Sequence, residues 1–365
     1  LSCRVGWKLC CRHCPNLKTR TATHSGDPMK MARKIVINGE DKTQLINSLF
    51  ISLEIIDAAG KKSDSLTLTL SDDGQFALPD VEADIDIWTG YTPERLVYKG
   101  KFTVEDISLP FPGRQVVISA SGAQLRGPFK SQRNHTWEPS TLYDIAQQIA
   151  ERNAFTPAVS ADLQQINVPH RVQRGQSDAD FLQQLADEYD CTLKCTGGRL
   201  VFFPLGDNRN VSGQTGPAIP LALNAQVKGR VTISGRAAVD GVRAAWRDLD
   251  AGALQYESVG EAGGRIKTLP GEYQDKASAA AAAASTWHQA QRKGYTLNIR
   301  EMPAIPQLAA ERLAEVSGHP RSQFNTGWMI EEVTEHQDEK GFWQSLKAVS
   351  PKQNAAAVST LIARK

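Results

Sequence analysis

Cysteine is scarce in this chain: after residue 14 only Cys191 and Cys195 occur. The other four, Cys3, Cys10, Cys11 and Cys14, crowd the first fourteen positions. A disulfide framework spreads cysteines through a fold, so the body is expected to assemble in a reducing compartment. Long apolar runs are missing too. No stretch of about 18 apolar residues exists, so no transmembrane helix and no stable membrane insertion are expected. Charge of one sign is not in excess, because 42 Lys and Arg stand against 40 Asp and Glu. A net charge of +2 gives no strong field for nucleic acid or an anionic membrane. Reaction motifs are also lacking: no Gly-x-Ser-x-Gly elbow, His-Glu-x-x-His, Walker loop or dinucleotide fingerprint occurs. His135, His170, His288, His319 and His336 are scattered, and no two lie within one helical turn. No catalytic, cofactor-binding or metal-binding residue is therefore assigned.

Cys10-Cys11-Arg12-His13-Cys14 carries zinc-type ligands. It holds one Cys-x-x-Cys pair, without a second pair at ribbon distance or an apolar element to seat it. Residues 1–30, which also contain His24, are expected to be upstream sequence or a disordered leader ahead of Met31. No apolar core of about 7–15 residues marks a signal peptide there.

What is present is β pattern. A length of 365 residues, 41% hydrophobic and 22% charged, allows two or three domains. Residues 31–125 alternate with period 2: Leu49, Ile51, Leu53 and Ile55 within a strand from Leu45 to Ile56, then Leu66, Leu68 and Leu70, then Ile85 and Ile87. Asp72-Asp73-Gly74 and Pro110-Phe111-Pro112-Gly113 supply turns. A first barrel-like domain is expected there. Residues 126–206 change character. Leu142, Ile145, Ala146, Ile149 and Ala150 form one helical stripe, and Phe181, Leu182, Leu185, Ala186 and Tyr189 form another. Ser177 or Asp178 caps the second helix, and a Gly197-Gly198 hairpin leads to Leu200–Phe203. This is a small α+β insert. A linker at 207–226 precedes a second barrel-like domain at 227–350, containing strands near Val231 and Val242–Trp246 and an alanine-rich helix capped by Asp275. Residues 351–365 form a fraying tail. No repeat with a period of about 20–50 residues is visible. The fold class is mainly β, two barrel-like domains flanking an α+β insert.

Candidate constellations weigh against chemistry. Glu331 and Glu332 are neighbours on a strand, expected on opposite faces and unable to flank one bond. Asp178 and Asp180 fall in a first helical turn, where acids favour the helix dipole. Gly263-Gly264 is expected to turn a hairpin. Arg230, Arg236, Arg243 and Arg247 bring local positive charge, read as a solvated face with a channel or partner contact as the alternative. Trp88, Trp137, Trp246, Trp287, Trp328 and Trp343 are spread as core or contact anchors, not as a base-stacking platform.

Several stretches together resemble a known family. They are Asp57-Ala-Ala-Gly60 with Ser63-Asp64-Ser65-Leu66, Phe76-Ala-Leu78-Pro79 with Gly90-Tyr91, and Gly100 to Asp106. Leu125-Arg126-Gly127 with Trp137 and Thr141-Leu142, Gln173 with Ser177-Asp178 and Phe181-Leu182, Gly241 to Ala244, and Trp328 to Thr334 complete the set. In order and spacing they resemble the phage late control protein D family, hub proteins of contractile-tail baseplates in phages similar to P2, related to the hub part of type VI secretion spikes. The resemblance covers roughly residues 34–352. It implies a non-enzymatic homotrimer joining the hexameric tail tube to the trimeric central spike. Its implied partners are the tube, spike and other baseplate proteins, without cofactor, small-molecule substrate or specific nucleic acid. It would assemble in the host bacterial cytoplasm and reside in the virion or a phage-like particle. A tail-associated cell-wall hydrolase and a nucleic-acid-binding late-gene regulator are the alternatives.

Overall fold

The computed structural model describes residues 29–60, 63–74, 76–122, 127–196, 198–204, 216–234, 239–249, 251–261 and 263–350. The amino-terminal cysteines, His13, His24, Arg236 and the tail 351–365 lie outside them. Period-2 alternation sets the first part of the chain. It comprises β1 (Lys30–Ile37), β2 (Glu40–Asp41), α1 (Thr43–Leu49), β3 (Phe50–Ala58), β4 (Ser65–Ser71), β5 (Asp84–Thr92), β6 (Val97–Ser108) and β7 (Gln115–Ser121). Leu66, Leu68 and Leu70 point one way along β4 and are fully buried with Ile85, Ile87, Phe102 and Ile118. One expectation fails locally. Leu45 to Leu49 is helical, and the register between β3 and β4 slips from Phe50 to Ser52. That bulge turns Ile51 out to solvent while Leu53 and Ile55 stay inside.

The insert contains β8 (Gln132–Trp137), β9 (Ser140–Thr141), α2 (Leu142–Arg152), β10 (Thr156–Val159), α3 (Ala161–Gln164), β11 (Asn167–Val168), β12 (Arg171–Ser177), α4 (Asp178–Glu188), β13 (Cys191–Thr196) and β14 (Arg199–Pro204). It does repeat. Shifting by 36 positions lays α2 on α4, with Asp144, Gln147, Gln148, Ala150 and Thr156 meeting Asp180, Gln183, Gln184, Ala186 and Thr192. Thr141 accepts from the Asp144 N–H and Ser177 from the Asp180 N–H, both at 3.1 Å. Ala154 and Asp190, again 36 apart, both end their turns at positive φ, 59° and 54°. The two helices pack their apolar stripes into one core, where Trp137 stacks on Phe181 at 5.6 Å between ring centres. Each of Ile145, Ile149, Leu182 and Leu185 is at least 99% buried. Such burial contributes about 1.5–3 kcal/mol per side chain.

The remainder holds β15 (Ile219–Ala222), β16 (Lys228–Ile233), β17 (Gly241–Asp248), β18 (Ala253–Gly260), β19 (Ile266–Tyr273), α5 (Lys276–Lys293), β20 (Tyr295–Pro303), β21 (Leu313–Ser317), β22 (Gly327–Asp338) and β23 (Gly341–Val349). Asp275 caps α5 by accepting from the Ser278 N–H at 2.8 Å. Among the described residues, the strands from Gly241 to Tyr273 pair only among themselves, in the order β18-β17-β19, under α5. They add no strand to the main sheet. Gly263 and Gly264 therefore serve a crossover, since β19 runs parallel to β17 and does not pair with β18. All other strands outside the insert form a 13-stranded sheet whose main path is β16-β20-β23-β22-β3-β4-β7-β6-β5-β1-β2. The antiparallel pair β22–β3 joins its two halves, from Glu332 opposite Ala58 to Gln337 opposite Leu53.

Candidate functional site at a three-way junction

Alternation along β22 carries Val333, Glu335 and Gln337 inward. Glu335 is only 4% exposed, and a buried carboxylate is costly unless paired. Lys99 of β6 forms its ion pair, with Thr89 of β5 donating at 2.8 Å and Gln344 of β23 at 2.9 Å. The Lys99 ammonium also donates to the Pro306 carbonyl at 2.6 Å, and Gln344 Oε1 accepts from the Ile305 N–H at 2.9 Å. One carboxylate thus ties strands of both halves of the sheet to the loop after β20.

A second cluster brings in the insert. Lys194 of β13 lies 3.2 Å from Asp57 Oδ1 of β3 and 3.6 Å from Asp64 Oδ1. Asp57 Oδ2 accepts from the Ala310 N–H at 2.8 Å, and Asp64 Oδ1 from the Ala58 N–H at 3.1 Å. Burial pushes the Asp64 carboxyl up to about 6, against the pull of Lys194. Burial likewise pushes Glu311 up to about 7, again opposed by Lys194. Burial acts to lower the Lys194 ammonium, but Asp57, Asp64 and Glu311 outweigh it and hold it above the usual lysine value. A cavity of about 250 Å³ separates the two clusters, with Asp57, Asp64, Lys99, Lys194 and Glu335 on its walls.

On the insert's other flank, Arg292 of α5 grips Asp190 with both terminal nitrogens, each side chain nearly fully buried. Ser285 donates to the Asp187 carbonyl at 2.7 Å. A larger cavity, about 390 Å³, lies between α4, α5 and the ends of β3, β22 and β23.

The structure redistributes the sequence candidates. Ser177 is the cap of α4, whereas Asp178 is fully buried. Burial acts to raise Asp178, but donors on Gln173, Asn153 and Arg152 outweigh it and hold it below the usual aspartate value. Asp178 therefore locks α2 to α4 and does not cap. Glu331 and Glu332 both line the larger cavity, contrary to the expectation of opposite faces. The pairing of β22 with β23 slips between Ile330 and Glu332, and a bulge breaks strict alternation. Lys347 pairs with Glu332. Arg230 sits on β16, while Arg243 and Arg247 sit on β17 of the other sheet. Arg247 holds Glu272 at 3.0 Å through two nitrogens, and Arg243 donates to Thr268 at 2.8 Å and lies over Tyr256. Trp137 and Trp328 are buried core residues, and Trp343 stacks on His336 at 3.8 Å. Among the described residues no group of three or more His, Cys, Asp or Glu has metal-binding geometry, and no helix is long and apolar enough to cross a membrane. The junction residues Asp57, Glu311 and Glu335 escaped sequence reasoning. For Asp57 and Glu335 the only signal there was a charged side chain on an inward position of an alternating strand, and Glu311, in the turn before β21, gave none.

What the arrangement does is fasten: charged pairs clamp two β units and an insert into one body. Residues 115–340 match the profile of the phage tail baseplate hub (GPD) family. The chain belongs to this family. A probable baseplate hub protein of Escherichia phage 186 is 28% identical over 364 residues, covering 88% of this chain and 94% of that protein. A tail protein from Neisseria meningitidis MC58 superposes with a TM-score of 0.65 at 12% identity, covering 88% of this chain and 97% of that one. The E. coli c3393 protein, a component of the type VI secretion system, superposes with a TM-score of 0.54 at 12% identity, covering 83% and 73%. This baseplate hub chain is thus a structural component of a phage tail, mainly β in fold, sharing that fold with tail and type VI secretion proteins.

Proposed function

We propose that three copies of this hub chain form the adaptor between the hexameric tail tube and the trimeric central spike, and that the hub works without catalysis. The observation that carries this reading is the β22–β3 pair, which fuses two β units of one chain into a single sheet. Two such units per chain, taken three times, give six similar wall segments, the number a sixfold tube requires. We read β1–β7 as the first barrel-like unit and β15, β16 and β20–β23 as the second. The insert decorates their junction, and the β17–β19 sheet with α5 braces the insert.

Glu335 with Lys99, and Lys194 with its carboxylates, suit a part that transmits load and has to keep two units in fixed register. Partners on this reading are tube, spike and neighbouring baseplate proteins, with assembly in the host cytoplasm. The chain takes no small-molecule substrate, specific nucleic acid or stable place in a membrane.

A hydrolase alternative rests on Glu331 and Glu332 lining one cavity. Zymography with the purified chain separates the readings: no clearing of peptidoglycan is expected, and clearing lost in Glu331→Gln would favour the alternative. Tight duplex DNA binding with a steep salt dependence would favour a regulator instead. Mass spectrometry of purified tail particles tests the hub itself, which requires the chain to be present together with tube and spike proteins.

A further inference from the structure

Six large apolar side chains that stand in solvent gather at one end of the first β unit. Phe111 is 94% exposed, Val81 58%, Leu109 50%, Leu45 47%, Leu78 44% and Ile51 36%. Strand direction puts their segments on one side: in the antiparallel order β1-β5-β6-β7-β4-β3, strands β1, β4 and β6 all run toward the side where β3, β5 and β7 begin. Ile37 lies opposite Ile85, Asp84 opposite Thr103, Ser71 opposite Gln115 and Phe50 opposite Leu70. The connections after β1, β4 and β6 and the start of β3 therefore share an end. β4 begins at Ser65 and β7 ends at Ser121, so the chain leaves for the insert on the other side.

This rim is built. Asp72 N–H donates to the Arg114 carbonyl at 3.0 Å, tying the loop after β4 to the loop after β6. Glu82 N–H donates to the Val104 carbonyl at 2.9 Å, and Asn38 exchanges two hydrogen bonds with Asp84, at 2.9 and 2.8 Å. Loops fixed in this way hold Phe111 and Val81 outward at a conformational cost already met on folding. The rim also has a sign. Residues 72–84 contain five acids (Asp72, Asp73, Asp80, Glu82 and Asp84) and no Lys or Arg, and Arg114 is the one charge in residues 109–114.

We propose that this rim docks a different tail protein, one whose contact face is apolar and ringed by lysine or arginine. The proposal rests on the hub reading and names the chemistry of one neighbour. An exposed aromatic at the centre of an apolar patch is the usual anchor of an interface, and opposite charge around it sets orientation. A twofold pairing of rims fits less well, because two acidic rims facing each other repel, and cross-linking from the rim separates a neighbouring copy in a threefold ring from a different protein. An anionic membrane is disfavoured for the same reason.

The test places a photo-crosslinking benzoylphenylalanine at position 111 in the full chain during particle assembly and irradiates the purified tails. The expected product joins this chain to another tail protein through a peptide bearing Lys or Arg. Adducts only to a second copy, or none while the chain is present, would overturn the proposal. A companion variant, Phe111→Asp with Val81→Asp, is expected to lower that partner's content in the particles about tenfold or more. Its own thermal unfolding and copy number should hold. Unchanged partner content overturns the rim, and absence of the wild-type chain from the particles overturns the hub reading together with it.

Discussion

Lys194 of the insert lies 3.2 Å from Asp57, a residue 137 positions earlier on the strand that joins the two β units. One ammonium there pairs with Asp57 and Asp64 and is also attracted by the carboxylate of Glu311, which comes from a distant part of the chain.

Lys194→Ala should therefore cost more than a surface ion pair. Removing the cation leaves carboxylates facing one another in a largely buried place, at about 1–3 kcal/mol. Urea unfolding measures the loss. Lys194→Arg should restore part of it, whereas an alanine variant as stable as wild type would deny the junction a role.

The same junction makes stability depend on pH with a definite sign. Asp64 is raised to about 6 and Glu311 to about 7, above their unfolded values of about 3.9 and 4.3. Between pH 4 and 7 the folded chain thus binds more protons than the unfolded one, so this contribution falls as pH rises. It levels off above about pH 8, where Glu311 has lost its proton in the folded chain as well. Glu311→Gln fixes the neutral form, so its urea midpoint should gain on wild type between pH 5 and 7. A constant difference across that range would contradict the assignment.

Glu335 sits deeper. Glu335→Ala strands the Lys99 ammonium and both amide and hydroxyl donors, with an expected loss of about 3–5 kcal/mol. Because Glu335 ties the two halves of the sheet, faster hydrogen exchange should concentrate in β3, β22 and β23. Loss of protection confined to the insert would show that the two halves are held some other way.

The insert's repeat predicts paired behaviour of its caps. Thr141→Ala and Ser177→Ala each remove the acceptor of a first-turn N–H, at about 1 kcal/mol apiece. Thermal denaturation of the two variants should give similar losses. An effect near zero at either cap would break the equivalence.

How much of this was legible in the sequence depended on whether a feature is local. Leu66, Leu68 and Leu70, or Phe181, Leu182 and Leu185, announce strand and helix through spacing alone. Asp275 and Ser177 announce caps by type and position. Asp178 does not announce its burial, because Arg152, 26 positions earlier, makes it tolerable. The bulges near Ile51 and Glu331 are set by register against distant strands, and alternation by itself predicts the wrong face. Val242–Trp246 looks like any other strand, and only its partners Ala253–Gly260 and Ile266–Tyr273 remove it from the main sheet. The repeat stayed hidden because its identities are sparse, while caps and positive-φ turns recur at the same offset.

Native mass spectrometry of the full chain at high concentration addresses the central claim most directly. The account predicts three times the chain mass of 39.9 kDa as the dominant species. A strict monomer, from a chain also missing from purified tail particles, would contradict it.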